Sequence, residues 1–390
     1  MAGLCAALSA ARAGARVTLL EAAPEHMRGG NLRHARNIRV PHSAPARHLF
    51  GTYPAEEFFD DLCRISEGRG DPLLARLLAE EARDLVSWLA AQGVAFQDAH
   101  IPFSRKTAFF LGGGKAATNA LYTRALRNGV DIRYETSMDT LELGDLPTAA
   151  VVLCCGGAQA GLAPEFINRG TRFNWGGLMK SLISQGAAVC GDESALHLVA
   201  VDARSPEHDG GIATRTDGMQ HGMMVDAYGR RFADETAICG SRRYGLWGQA
   251  IAALPEGRAF LVVDALGLKK LPTSIFPPIR AQSLCDLAQL TGVDWQALLA
   301  SADESGRVSI PPFFAWPVRA GVTFTCHGLQ VDAAARVVMA DGGVCANLFA
   351  AGAIMAPAIL HAGYLSGTAL TISAVFGRLA GREAARHVLG

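Results

Sequence analysis

The sequence predicts an α/β protein in which a parallel-sheet domain, assembled from both ends of the chain, carries an inserted α+β domain. Three observations lead there. Residues 1–22 read as a helix feeding a short strand, which is the second half of a βαβ unit. The apolar run ending in Cys155-Gly156-Gly157 reads as a strand with a glycine turn at its carboxyl end, where open α/β sheets bind ligands. From about Thr171 to Val318 the texture changes to mixed helices, strands and proline-containing loops, after which strand, glycine turn and helix return. The expected boundaries are 1–165 with 326–390 for the first domain and 166–325 for the insertion.

The elements follow from local pattern. Leu4, Ala7, Leu8 and Ala11 form one apolar stripe, Gly14 stops the helix, and Arg16 to Leu20 is a short buried strand. The strand that would feed this helix is expected to be missing. Asp71 to Gln92 has helical spacing in Leu74, Leu77, Leu78, Ala82, Leu85 and Leu89. LGGGKAATNALYTRALRNG reads as a glycine turn and a helix closing at Gly129, and Ile132–Tyr134 and Thr148–Leu153 read as strands. Near the end, Gln330–Asp332 and Asn347–Ala351 read as short strands and Thr368–His387 as the final helix.

Composition narrows the function. Half of the residues are hydrophobic, 18% are charged and the net charge is zero, so nothing global points to nucleic acid or a membrane surface. Glycine, at 43 of 390 residues, exceeds the usual ~7%, as suits backbone that must approach phosphate closely. The nine cysteines include no CxxC pair, which argues against an iron–sulfur or other metal site and for a reducing, cytoplasmic setting. The start lacks a signal peptide's basic segment. The apolar stretch Leu348–Leu360 contains Gly352 and Pro357 and is too short to span a bilayer, so no direct membrane insertion is expected.

Glu21 ends a buried strand, followed by Ala22. In a dinucleotide-binding βαβ unit an acid there takes the adenosine ribose hydroxyls, although an ordinary surface glutamate fits the position as well. Gly3 suits the third glycine of a G-x-G-x-x-G loop, where helix and strand pack closely. Between Glu25 and Glu56 there is no acidic residue, but there are Arg28, Arg33, His34, Arg36, Arg39, His42, Arg47 and His48, with Gly29-Gly30-Asn31 among them. That loop suits a pyrophosphate or a polyanionic substrate, or is simply solvated.

The run LLEAAPEHMRGGNLRHARNIRV resembles the tricarballylate dehydrogenase branch of the succinate dehydrogenase/fumarate reductase flavoprotein family. VVLCCGG, HGMMVDAYGRRFADE, AWPVRAGVTFTCHGLQVD and LFAAGAIMAPAILHAGYLSGTALTISAVFGRLAGREAA follow in the family's order, so the resemblance covers nearly the whole chain. It implies a Rossmann-like FAD-binding domain, first strand missing, with an inserted α+β capping domain, and FAD as cofactor. It also implies a small-molecule carboxylate substrate and a separate iron–sulfur or haem membrane protein as electron-transfer partner. The implied reaction takes tricarballylate to cis-aconitate, with hydride passing to flavin N5 and a base removing the adjacent proton. Two other readings stay open. One is a flavoprotein of cobalamin biosynthesis, precorrin-3B synthase-like; the other is a non-catalytic, truncated pseudoenzyme.

Site residues follow from the same resemblance. After Gly229-Arg230-Arg231-Phe232, the family's proton-transfer arginine matches Arg243, with Arg242 second choice; on their own the two read equally as a surface pair. An arginine base needs a desolvated, cation-rich site. His197 matches a substrate-carboxylate histidine or is structural. Phe324 stands where a histidine would be and Tyr364 where an arginine would be, which speaks against fumarate; a tyrosine there is also similar to ketosteroid dehydrogenases. Gly29, Gly30, Asn31, Arg36, Gly156, Gly157, Gly352, Gly363, Leu365 and Ser366 match FAD-binding positions. Ala353 replaces a glutamate that holds the ribityl chain and Pro357 replaces a small residue, which implies weaker flavin binding.

Overall fold

The computed structural model describes residues 1–99, 104–146, 149–210, 213–240 and 243–390. The chain forms two compact units: Met1–Gly161, Phe173–Leu196 and Phe324–Gly390 make the first, and Leu162–Arg172 with His197–Thr323 make the second. Both ends of the chain therefore build one unit. The insertion, however, is interrupted. Phe173–Leu196 returns to the first unit because the helix Gly177–Ser184 buries Leu178, Met179 and Leu182 in that unit's core.

The first unit is organised by its terminal helices. The helix Ala2–Arg12 ends where Gly14 takes φ +97°; the strand that follows is Thr18–Leu20, shorter than expected, and not buried, since Thr18 and Leu20 are exposed. The closing helix Thr368–Leu389 lies against it through Gly377 and Gly381, one turn apart. A Cβ on Gly381 would stand 2.2 Å from the Ala6 carbonyl oxygen, and one on Gly377 2.5 Å from that of Ala2. Only glycine permits this approach, so Gly381→Ala is expected to cost about 2 kcal/mol, read as a lower urea midpoint at unchanged slope.

Leu4, Cys5 and Leu8 from the first helix share one core with Val375, Phe376 and Leu379 from the last. Val151–Leu153 pairs in parallel with Leu348–Ala350, and Thr18–Leu20 pairs in parallel with Asp131–Arg133. Thr148, where a strand was expected to start, lies outside the described residues. The expected helix Asp71–Gln92 is two helices, Pro72–Glu81 and Leu85–Ala91. Asp71 caps the first through the N–H groups of Leu73 and Leu74, and at the break Asp84 takes both Arg378 Nη atoms, at 2.7 and 3.1 Å. The apolar spacing runs on across the break because Ala82, Leu85 and Leu89 stay buried on one side.

In the second unit, Arg258–Val263 pairs antiparallel with Met223–Asp226 and with the first half of a 17-residue strand, Phe313–Leu329. Met223, Val225, Phe260, Val262 and Ala315 point to a core closed by the helices Leu284–Thr291 and Trp295–Ser305. Sequence pattern missed both long strands, Val189–Asp202 and Phe313–Leu329. Pro317, Gly321 and Gly328 interrupt the alternation of the second, and of the expected strand Gln330–Asp332 only Val331 pairs, in a bridge to Val337.

Candidate active site

The first unit holds the positions matched to a cofactor. Glu21 is the residue after the first strand. Its Oε1 accepts from Ala23 N–H (3.1 Å), and its Oε2 accepts from Gly29 N–H (3.1 Å) and Tyr122 OH (2.6 Å). Three donors leave a carboxylate room for one more, so the acid is held in place with capacity for a hydroxyl. Ala22 follows it, half-buried. Gly29 and Gly30 both have positive φ, +100° and +55°. A Cβ on Gly29 would meet Thr118 Cγ2 at 2.3 Å, and one on Gly114, at the start of the helix Gly113–Arg127, would meet the Leu32 carbonyl oxygen at 1.8 Å. The GGN turn is thus clamped to that helix, with Asn31 inside a 3-10 turn, Gly30–His34. Gly3 lies close to the end of Val151–Leu153, but less tightly than expected: a Cβ would sit at 3.4 Å from Cys154 Cβ, ordinary contact.

The basic run does not form one patch. Arg28 stacks over Tyr122 at 4.6 Å and bonds Glu25, Tyr134 OH and Asn119. Arg33 bonds the Met27 carbonyl, Arg47 pairs with Asp98, and Arg39 is buried. Arg36 is exposed, its carbonyl accepting from Phe110 N–H.

At the carboxyl end of Val151–Leu153, Gly156 takes φ +86°, and a Cβ on Gly157 would stand 2.5 Å from Thr325 Oγ1. Beside this turn Gln159 Oε1 and Asn174 Oδ1 are buried with no partner among the described residues. Such orphaned acceptors call for donors from outside the chain. Gly352, φ +88°, follows the strand Val344–Ala350, and a Cβ there would come within 2.9 Å of Ala2 Cβ. A Cβ on Gly363 would meet the Ile65 carbonyl oxygen at 2.2 Å. Among the described residues, the N–H groups of Leu365, Ser366 and Gly367 donate no hydrogen bond within the chain. They stand at the N-terminus of the 22-residue closing helix, and the buried Thr368 Oγ1 beside them is also without a partner. Two residues before Gly363, His361 takes φ +50° with its Nδ1 buried and unpartnered, a strained position that sequence reasoning missed. Tyr364 touches Phe324, ring centroids 6.2 Å apart, so the two departures from the family pattern form an aromatic pair.

The second unit holds the positions matched to proton transfer. Arg243 opens the helix Arg243–Ala252 and pairs bidentately with Asp217, Nε to Oδ1 at 3.0 Å and Nη2 to Oδ2 at 2.9 Å. Arg215 Nη2 lies 3.6 Å from the same Oδ2, and both guanidinium groups sit 4.0 Å from the Tyr244 ring centroid. The Asp217 bond raises the Arg243 pKa. Burial pushes Asp217 up, but its bonds from Arg243 and the Gly218 N–H outweigh that and its pKa falls. Arg243 is therefore a paired cation with a second guanidinium, Arg215, on the same carboxylate. Arg242 lies outside the described residues. Arg215, Asp217 and Tyr244 were missed, and their only sequence signal is the Arg-x-Asp spacing.

His197 lies against Gly245, whose Cβ would be 3.6 Å from its Cε1. Burial, then the charge of the buried Arg169, pushes its pKa down to about 3. The ring is neutral near pH 7. In the unfolded chain a histidine titrates near 6.5, so as pH falls below that value the unfolded state gains a proton that the folded state refuses. Stability contributed by neutral His197 is thus present above pH ~6.5 and lost toward pH ~3. Between pH 7 and 5, wild type is expected to lose up to about 2 kcal/mol more than His197→Gln, measured by urea unfolding; equal losses would contradict the burial.

The comparisons decide the family. The sequence matches the family described as "FAD binding domain" over residues 1–370. The chain belongs to it. Among curated relatives, the fumarate reductase (cytochrome) of Shewanella frigidimarina is 25% identical, over 99% of this chain and 76% of the relative. That relative is a fumarate reductase; this flavoprotein is similar to it and is an oxidoreductase acting on CH–CH groups. Of solved structures, the open conformation of a flavocytochrome c3 fumarate reductase superposes with TM-score 0.78 at 22% identity, covering 100% of this chain and 77% of that one. The 3-ketosteroid Δ1-dehydrogenase of Sterolibacterium denitrificans gives 0.76 at 16%, covering 99% and 98%. Quinol-fumarate reductase with menaquinol gives 0.63 at 19%, covering 100% and 70%. At these identities the structural likeness shows the fold alone.

FAD is the cofactor, and the first unit fits it chemically. Glu21, Gln159 and Asn174 offer acceptors for sugar hydroxyls, and the N–H groups of 365–367 offer donors to an electron-rich ring edge. Ala353 is half-buried and contributes no polar atom beyond its backbone, so the side-chain contact of the family's glutamate is absent. No helix among the described residues is long and apolar enough to cross a membrane.

Proposed function

We propose that this flavoprotein dehydrogenates a tricarboxylate, tricarballylate to cis-aconitate. The observation that carries the reading is the second unit's pair of arginines, Arg215 and Arg243, on one carboxylate, Asp217, with a neutral histidine, His197, in the same unit. Two guanidinium groups on one carboxylate suit an anionic substrate. FAD, when bound, supplies the two-electron acceptor that takes the hydride. Arg243 handles the proton: it passes one to its bidentate partner Asp217, and its freed nitrogen takes the one leaving the substrate carbon. Neutral His197 recognises a substrate carboxylate within the second unit. Electrons leave to a separate iron–sulfur or haem protein, in keeping with the fold shared with a quinol-linked reductase.

One observation favours a second reading. The Phe324–Tyr364 contact puts aromatic surface where the family pattern has histidine and arginine, which suits an apolar cyclic ketone. The test is product analysis with FAD-loaded protein, an artificial electron acceptor, and tricarballylate, succinate or a 3-ketosteroid. The tricarboxylate reading expects cis-aconitate from tricarballylate; oxidation of the ketosteroid alone, or of nothing, overturns it.

A further inference from the structure

Asp61 is an acidic side chain buried in the first unit, about 3% exposed. Its Oδ2 accepts from Tyr53 OH at 2.6 Å and Lys106 Nζ at 2.7 Å, with Arg39 Nη1 at 3.5 Å, and Arg64 pairs with Oδ1. Arg39, also buried, bonds Tyr53 OH at 3.2 Å, and Arg39 and Lys106 both lie near the Tyr53 ring, at 5.6 and 4.7 Å from its centroid. An ion cluster of this kind is a poor source of stability, since apolar residues of similar volume would serve as well. Its geometry offers another reason for it.

The far end of Arg39 reaches the loop before the closing helix. Arg39 Nε donates to the Ser366 carbonyl oxygen at 3.0 Å, and Arg39 N–H donates to that of Gly367 at 3.3 Å. Thr371 Oγ1 donates to the Arg39 carbonyl. Gly367 takes φ +82°, and a Cβ on it would lie 2.7 Å from Arg39 N. Residue 39 thus fixes one side of the loop, while the N–H groups of Leu365, Ser366 and Gly367 remain available. The Ser366 carbonyl and the Gly367 N–H belong to one peptide unit. A guanidinium on the oxygen polarises that unit and strengthens its N–H as a donor.

We propose that Arg39, held by Asp61 and Tyr53, is a positioning residue that aims and polarises the 365–367 donor set and so favours the reduced, electron-rich state of bound FAD. This rests on the reading that the loop holds FAD. The charge sits one peptide away from the ligand, and the buried pairs around it are weakly screened by salt. Removing the cation should penalise the reduced form; removing the opposing carboxylate should do the reverse.

The experiment uses the FAD-loaded full chain. Arg39→Met is expected to leave the far-UV circular dichroism and oxidised-FAD binding near wild type. Binding of reduced relative to oxidised FAD should weaken about tenfold, which is about 30 mV in midpoint potential for a two-electron couple. Asp61→Asn is expected to move the potential upward, so the two variants differ in sign. A merely structural role would move neither, or both downward, and either result overturns the inference. Hydrogen exchange of residues 361–370 with and without FAD separates this from the underlying reading. Protection of those amides by FAD with unshifted potentials sinks the role of Arg39 alone; no protection sinks the placement of FAD at the loop.

Discussion

Arg243→Gln is expected to lower turnover by about 10²–10⁴-fold, the usual range for loss of a general acid–base group, while FAD remains bound. Glutamine keeps a hydrogen bond to Asp217 but cannot exchange a guanidinium proton, and the residue lies in the unit that does not carry the FAD-matched positions. Asp217→Asn should give a large part of the same loss, because a neutral partner can no longer accept the relayed proton from Nη2, 2.9 Å away. The measurement is steady-state turnover beside the visible flavin spectrum of each purified variant. Full turnover in Arg243→Gln with the flavin spectrum intact would show that another residue, such as Arg242, performs the transfer.

Gly363→Ala is expected to abolish stable FAD retention and to cost about 3 kcal/mol. The added methyl would stand 2.2 Å from the Ile65 carbonyl oxygen and 3.0 Å from Ile65 Cγ1. Ile65 ends the helix Ala55–Ile65, whose Phe58 and Leu62 are buried in the core, so the carbonyl cannot recede freely. The loop from Gly363 to Gly367 must move instead, and with it the donor set at the N-terminus of the closing helix. Gel filtration of the FAD-loaded variant reads retention, and urea unfolding reads stability. Yellow protein of wild-type midpoint would contradict the close approach.

What the sequence showed and hid follows from the range of each interaction. The first helix and the glycine-led closing helix were legible because their signals are local: an apolar stripe and a glycine turn. The clamp of the GGN turn on Gly114 was not, since it joins residues about eighty apart through one missing Cβ. The return of Phe173–Leu196 to the first unit was hidden because its apolar spacing is that of any helix, and only the partner surface assigns it. Arg243 was found through a neighbouring motif, but its partner Asp217 precedes that motif and is marked only by the Arg-x-Asp spacing, which is common in any chain. The Asp61 cluster draws on residues 39, 53, 61 and 106, each ordinary in its own segment. The aromatic exchange at Phe324 and Tyr364 was read at two separate positions; that they touch is a fact of the fold.

The proposed reaction is oxidation of a tricarboxylate at a CH–CH bond with FAD as the electron acceptor. The direct measurement is anaerobic mixing of FAD-loaded protein with tricarballylate, following the visible flavin absorbance. The account predicts bleaching that proceeds in wild type and is slowed by orders of magnitude in Arg243→Gln. Absorbance unchanged by tricarballylate in wild-type protein that dithionite still bleaches would contradict it.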